Sequence, residues 1–162
     1  MARCSTKKDE LFLKRLQAEI LSELAHISKL MAEYDDFLMK YSSHMDVYLL
    51  RVKASFMADF YMGVEKVFRL IAEELNGGLP KGDAWHKKLL YTMTLEIDQV
   101  RPAVISKKLY EDLLEFLGFR HVVRQAYGFQ LDEKKLAELE KKFEKTWKMF
   151  ARGIKRFCAF LV

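Results

Sequence analysis

The residues best suited to chemistry are grouped in one short stretch of the chain. Arg120, His121, Arg124 and Tyr127 lie within eight positions, and Gly128 follows them. A guanidinium group forms paired hydrogen bonds with phosphate oxygens, and an imidazole and a phenol can donate further bonds. On an α-helix, positions 120, 124 and 127 share one face, and a glycine just beyond them is expected to end the helix. The spacing therefore predicts a phosphate-binding cluster at the end of a helix.

A structural explanation of the same residues stays open. Arg120 and Arg124 would then pair with acidic side chains such as Asp112 or Glu115, and Tyr127 would pack at the end of the fold. On spacing alone we favour this explanation over a binding site.

Composition indicates one folded domain covering residues 1–162. The chain is 51% hydrophobic and 31% charged, and its seven glycines and two prolines are few, which favours long helices over a many-stranded sheet. Its net charge of +5 suits an anionic partner such as RNA, although many basic domains bind none. Two cysteines without CxxC spacing predict neither a metal site nor a disulfide framework. We expect a cytoplasmic protein without a cofactor, because the sequence has no signal segment and no transmembrane run.

Apolar periodicity predicts an all-α protein, an antiparallel bundle of four to five helices. The first helix is expected to start near Thr6 and to exceed thirty residues. Its heptad-like seam consists of Leu13, Leu16, Ile20, Leu24, Ile27, Met31, Tyr34, Leu38 and Tyr41. A second helix is predicted from about Met45 to Leu75, capped by Ser43. Its apolar arc is wide, which requires contact with several neighbouring helices or with a second copy of the chain.

Three further helices complete the predicted bundle. The third runs from an N-cap at Asp83 to Asp98, the fourth starts near Ser106 and continues into the Arg120 stretch, and the fifth is capped by Asp132. The outer side of the fifth helix carries a basic stripe, for which a solvated face and an RNA contact are both open. The stripe consists of Lys141, Lys145, Lys148, Arg152 and Lys155.

Two smaller features have a functional and a structural explanation each. The glycine-rich segment 76–83 lacks the GxxxxGKS or GxxxxGKT spacing of a phosphate-binding loop and follows a helix, so we interpret it as a helix connection. His86 lies in the first turn of the third helix with no second ligand four residues later. We therefore interpret it as a surface or packed residue.

The pattern Arg120-His121-x-x-x-Gln125-x-Tyr127 resembles the motif of the HEPN superfamily, and its trailing tyrosine resembles the RX4HXY form of the HepT-like toxins. The segments NGGLPKGDAWHKKLL, VRPAVIS and FRHVVRQAYGFQLD, with the closing amphipathic helix, are similar to the HepT-like ribonuclease domain in order and spacing. The resemblance covers most of the chain, and its specificity lies mainly in residues 76–132.

The resemblance implies a helical homodimer that cleaves RNA without metal, with the motifs of both chains meeting at the interface. It assigns phosphate binding to Arg120, and it places Arg124 close enough to contact the RNA as well. His121 is the polar second residue of the motif. It further implies a small nucleotidyltransferase antitoxin that neutralises the toxin by adenylylating Tyr127. We expect the fourth helix and the wide face of the second helix to form the dimer interface.

The chain departs from the family pattern at the catalytic histidine, where it has Gln125. An amide does not titrate near neutral pH, so Gln125 cannot act as a general acid or base, although it keeps the capacity for hydrogen bonding. We therefore expect impaired cleavage, whether the glutamine is native or engineered. His121 is a less favoured substitute, and the alternative to a toxin is a catalytically inactive HEPN subunit that serves a nucleotidyltransferase partner. A purely structural bundle is a third hypothesis.

Overall fold

The computed structural model describes residues 7–41 and 46–162, and within these ranges every regular element is helical. The helices are α1 (Lys7–Tyr41), α2 (Val47–Leu75), α3 (Trp85–Thr92), α4 (Lys107–Gln125) and α5 (Glu133–Leu161), with a 3-10 turn at Gly128–Gln130. The all-α bundle predicted from periodicity is confirmed. None of the helices in the described ranges combines the length and the apolar character needed to cross a membrane.

The seam of α1 is buried along most of its length, as its spacing predicts. It packs against α2 and α5, and its fully buried members are Leu16, Ile20, Leu24, Ile27, Met31 and Tyr34. Tyr41, the last predicted seam residue, is 55% exposed. The predicted start at Thr6 and the break at Ser42 lie outside the described residues.

The central element is α2, which contacts α1, α3, α4 and α5. Its N-cap is Asp46, whose carboxylate accepts hydrogen bonds from the backbone N–H groups of Tyr48 and Leu49 at 2.9 Å. The prediction of Ser43 as the cap was wrong, and Ser43 itself lies outside the described residues. Most of the wide apolar arc of α2 is buried by helices of the same chain, so that arc needs no second copy to cover it.

A close approach between α1 and α2 depends on Gly63. A Cβ atom at this position would lie 2.6 Å from Cγ1 of Ile27, which is well inside van der Waals contact. Because Gly63 has no side chain, the side chain of Ile27 on α1 can pack directly against the backbone of α2.

Three phenylalanines join α2, α4 and α5 in the core. The ring centroids of Phe60, Phe116 and Phe143 are 5.1 to 5.6 Å apart, and two of the three pairs are edge to face. Such aromatic contacts add about 0.5–1.5 kcal/mol each beyond the area that they bury. This cluster fixes the middle of α4 against α2 and thereby sets the position of the Arg120 stretch.

The third helix is shorter than its periodicity predicts. It begins at Trp85 after Ala84 rather than at an Asp83 cap, and it ends at Thr92 rather than at Asp98. The reason for the early end is Arg101, which is 2% exposed and donates to the carbonyl oxygens of Thr92 and Leu95 at 3.0 and 2.8 Å. The buried guanidinium thus supplies hydrogen-bond donors to carbonyl groups at the end of the helix.

Arg101 also holds the connection that leads into α3. Its Nε donates to Oδ1 of Asn76, the C-cap residue that follows α2, over 2.8 Å. The glycine-rich segment that follows joins α2 to α3, and Gly77, Gly78 and Gly82 have φ angles of 78°, 122° and 93°. Only glycine adopts such angles without strain, so these residues serve the turn.

The starts of α4 and α5 agree with the predicted start near Ser106 and the predicted cap at Asp132. Ser106 accepts a hydrogen bond from the backbone N–H of Leu109 at 3.2 Å, and Asp132 accepts from Lys134 and Lys135 at 2.9 and 3.3 Å. The prediction that Gly128 ends α4 was wrong, because the helix ends three residues earlier at Gln125.

Candidate functional site

The guanidinium of Arg120 is held against α2 by a buried carboxylate. Arg120 lies near the C-terminal end of α4, and its Nη1 donates to Oε1 of Glu65 over 3.1 Å. The two side chains are 14% and 7% exposed. A carboxylate with so little access to water is tolerated only when it is paired and hydrogen-bonded. The ion pair therefore fixes the position of Arg120.

The second oxygen of Glu65 is occupied by an imidazole from α3. Nδ1 of His86 lies 2.5 Å from Oε2 of Glu65, and the His86 side chain is 19% exposed. The His86 ring stacks on Trp85, with ring centroids 3.7 Å apart, and the guanidinium of Arg69 lies 5.9 Å above the Trp85 ring. The imidazole is thus held by a hydrogen bond in its plane and by a ring on its face.

His121 completes a group of four polar side chains from three helices. Its ring meets His86 edge to face, with centroids 5.6 Å apart and an interplanar angle of 87°. We refer to Glu65, His86, Arg120 and His121 as the Glu65 cluster. One carboxylate there faces a guanidinium and an imidazole, and a second imidazole lies against the first. Such a set can hold an anion and can move a proton.

The charges of the Glu65 cluster affect two other residues of α2. Burial, together with the negative charge of Glu65, raises the pKa of Tyr61 above its usual range, and the positive charge of Arg120 opposes that shift. Partial loss of hydration raises the pKa of Asp59, again against the positive charge of Arg120. The field of Arg120 therefore reaches along α2 as well as to its direct partner.

The other predicted site residues lie at or beyond the end of α4. Arg124 and Gln125 are exposed in its last turn, and Tyr127, which is 72% exposed, follows the helix in extended backbone. Its backbone N–H donates to Oε1 of Gln130 at 3.0 Å. The prediction of a single helical face for Arg120, Arg124 and Tyr127 was wrong, because α4 ends before position 127 is reached.

The acidic partners proposed in the structural explanation of the motif are engaged elsewhere. Asp112 pairs with Lys108 and Lys142 at 2.8 and 3.6 Å, and Glu115 pairs with Lys142 at 2.8 Å. Arg120 pairs instead with a residue 55 positions away in the sequence. The arginine is therefore a tertiary link between two helices rather than part of a local surface pair.

A second arginine of α2 lies beside the segment that carries Tyr127. A Cβ atom on Gly128 would overlap the guanidinium end of Arg51, so the glycine leaves room for this side chain against the backbone. This contact gives a packing reason for Gly128 that does not involve ending α4.

Glu65 and His86 were not predicted as site residues, although the sequence contains one usable signal. Glu65 follows Tyr61 by four positions and precedes Phe68 by three, so it occupies the apolar arc of α2. A carboxylate at a position that periodicity assigns to the core requires a partner. The partner His86 could not be identified in the same way, since no local spacing connects α2 with α3.

The basic stripe of α5 is exposed, as the sequence pattern predicts. Within it, Lys148 pairs with Glu144 at 2.5 Å across one turn of the same helix. Among the described residues, no group of three or more histidine, cysteine, aspartate or glutamate side chains is placed to hold a metal ion.

The fold and the site define a helical bundle with a half-buried arginine near the C-terminal end of α4, in a cluster with two imidazoles. A protein-family model described as HepT-like protein matches residues 53–161, which is about two thirds of the chain. The chain therefore belongs to the HepT-like family, as its resemblance to HEPN proteins predicts. No curated protein and no solved structure matches it.

Proposed function

We propose that this protein is the toxin of a toxin–antitoxin pair, a HepT-like endoribonuclease that acts in the cytoplasm and binds the RNA backbone at Arg120. The observation that carries this proposal is the fixed position of Arg120 beside His86 and His121, in a chain of the HepT-like family. Guanidinium groups bind phosphate oxygens in a bidentate manner and stabilise charge that develops on them.

The reaction is attack of the RNA 2′-OH on the adjacent phosphorus, which leaves a cyclic phosphate and a free 5′-OH. It requires one group that accepts the 2′-OH proton and one that protonates the leaving oxygen. Gln125 can do neither, because an amide does not titrate in the neutral range. Loss of a positioned acid or base typically reduces a rate by about 10²–10⁴-fold, so we expect slow cleavage.

The active form is a homodimer in which the C-terminal halves of two α4 helices face each other. Support comes from the outer side of α4, where Val122 is 43% exposed and a Cβ atom on Gly118 would have nothing within 4 Å. An exposed apolar residue and an open glycine on one helix allow close approach of a second helix. A monomer in light scattering at micromolar concentration would contradict this part of the proposal.

Neutralisation takes place at Tyr127, through transfer of an adenylyl group from a nucleotidyltransferase antitoxin. The phenol is suited to modification because it is 72% exposed and lies beyond the end of α4. Adding a nucleotide there introduces a negatively charged phosphate near the arginines that would bind RNA, and like charges repel.

The direct test compares RNA cleavage by the natural chain, Gln125→His and Arg120→Ala. We expect slow cleavage by the natural chain, faster cleavage by Gln125→His and none by Arg120→Ala. Arg15→Ala is a matched control, because Arg15 is an exposed arginine of α1 that pairs only weakly with Glu19 and Glu74. EDTA should leave the rates unchanged. Equal cleavage by Arg120→Ala and the natural chain would refute the assignment of the site.

A catalytically inactive binding subunit is the second candidate function. Two observations favour it: Gln125 cannot transfer protons, and the charge of Arg120 is already matched by Glu65 at 3.1 Å. This candidate predicts binding of RNA or of a nucleotidyltransferase without cleavage, even after Gln125→His. The same assay, combined with a binding measurement, distinguishes it from the toxin.

A further inference from the structure

The imidazole of His86 is held in the way that an acid–base histidine requires. A carboxylate can only accept hydrogen bonds, so Nδ1 of His86 carries the hydrogen that faces Oε2 of Glu65 at 2.5 Å. In a neutral ring this leaves Nε2 as the proton acceptor. Glu65 thus selects the tautomer and, together with the stacked Trp85, fixes the ring.

His86 also lies next to the other groups that the reaction needs. Its ring contacts His121 at a centroid distance of 5.6 Å, and its carboxylate partner is the same Glu65 that binds Arg120. Hydrogen bonds of general acids and bases span about 2.6–3.2 Å. A phosphodiester bound at Arg120 would therefore lie at a cluster that contains two imidazoles from different helices.

We propose that His86 is the catalytic acid–base residue of this protein, with His121 as its partner, and that together they supply the proton transfer that Gln125 cannot. This inference rests on the proposed function. Nε2 of His86 takes the proton of the 2′-OH, the 2′-oxygen forms a bond to phosphorus, and the bond from phosphorus to the 5′-oxygen breaks. Protonated His121 donates its proton to the leaving 5′-oxygen, and the products are a 2′,3′-cyclic phosphate and a 5′-OH.

This assignment predicts a bell-shaped dependence of the cleavage rate on pH. One imidazole must be neutral and the other protonated, so the rate falls on both sides of an optimum. The charged and titratable groups around His86 are Glu65 and Arg69 from α2 and Arg120 and His121 from α4. Among these groups His121 is the other imidazole, so we assign the two limbs to His86 and His121.

The test measures metal-free cleavage of a fluorescently labelled, mixed-sequence RNA oligonucleotide by the full chain and its variants. We expect His86→Ala to reduce the rate by about 10²–10⁴-fold, and His121→Ala to remove the limb of the pH profile that it supplies. His26→Ala is the matched control and should have no effect, since His26 is 69% exposed on α1 and pairs with Glu23. His86→Gln keeps a donor for Glu65, so it tests the proton transfer without removing the tertiary hydrogen bond.

A binding measurement with 2′-O-methyl RNA, which cannot be cleaved by this route, tests contact directly. We expect the ring-proton NMR signals of His86 and His121 to shift on titration, and that of His26 to stay in place. Signals of His86 that do not move would overturn the proposal, even if His86→Ala lost activity through misfolding.

The remaining outcomes separate the failure of this inference from the failure of the proposed function. Full cleavage by folded His86→Gln, with loss in Arg120→Ala, would overturn the role of His86 alone. Cleavage by Gln125→His but not by the natural chain would do the same, because His86 would then supply no proton transfer. Binding of RNA without cleavage by any variant would overturn the inference and leave the binding subunit. Neither binding nor cleavage would overturn both.

Discussion

Replacing Glu65 by glutamine tests whether one buried carboxylate joins α2, α3 and α4. The substitution keeps the length and shape of the side chain and removes the charge that Arg120 and His86 share. A glutamine amide replaces one of the two carboxylate oxygens with an NH2 donor, so one of the two partners would face a donor in place of an acceptor. Arg120, which is 14% exposed, would then be left without a counter-charge.

The expected loss of stability follows from the geometry of the pair. At 3.1 Å and an effective dielectric constant of about 20, the attraction between Glu65 and Arg120 is about 5 kcal/mol. Desolvation of both groups offsets part of this attraction, and removing one partner of a buried pair costs about 3–5 kcal/mol in practice. Since glutamine retains one hydrogen bond, we expect a loss of about 3 kcal/mol, which lowers the Tm by roughly 6–12 °C for a chain of this length.

Urea unfolding followed by far-ultraviolet circular dichroism measures this change. Glu73→Gln is the matched control, because Glu73 lies on the same helix, is 45% exposed and pairs with Arg69 at 3.7 Å. We expect its effect to stay below about 0.5 kcal/mol. A Glu65→Gln variant whose free energy of unfolding falls within about 0.5 kcal/mol of that of the natural chain would refute the account of the Glu65 cluster.

Three further stability predictions concern the helices around the site. Gly63→Ala should be less stable than Gly118→Ala by about 1–3 kcal/mol, because both gain helix propensity but only the first places a Cβ atom against Ile27, at 2.6 Å; thermal unfolding of the two variants side by side checks this. Arg101→Met should cost about 3 kcal/mol or more in chemical denaturation, because the buried guanidinium donates to four neutral acceptors and burial already lowers its pKa; equal stability would contradict its role in ending α3. Thr146→Val should raise the free energy of unfolding by about 1 kcal/mol, because the buried Thr146 hydroxyl has no hydrogen-bond partner in the part of the chain that the structure describes. A loss of stability in chemical denaturation would indicate that this hydroxyl does have a partner.

Hydrophobic periodicity and capping residues were enough to predict much of the fold. The seam of α1 is buried where the alternation of three- and four-residue steps places it, Asp132 caps α5 as expected, and α4 starts at Ser106, near which its start was predicted. These features depend on neighbours within a few positions, so local sequence determines them. The α3 prediction failed because the end of that helix is set by Arg101, whose contacts extend to α2.

In the Glu65 cluster, too, some features follow from local sequence and others only from tertiary packing. Residue types and spacing in the sequence were enough to single out Arg120 and its neighbours, and Gln125 at the family's histidine position is a property of the sequence alone. The tertiary structure decided which side chains pair with Arg120 and His86. Glu65 reaches Arg120 across 55 positions and His86 across 21, because α2, α4 and α3 pack together. A buried carboxylate must be paired with hydrogen-bond donors wherever the fold brings them, so its partners follow from packing and not from spacing along the chain.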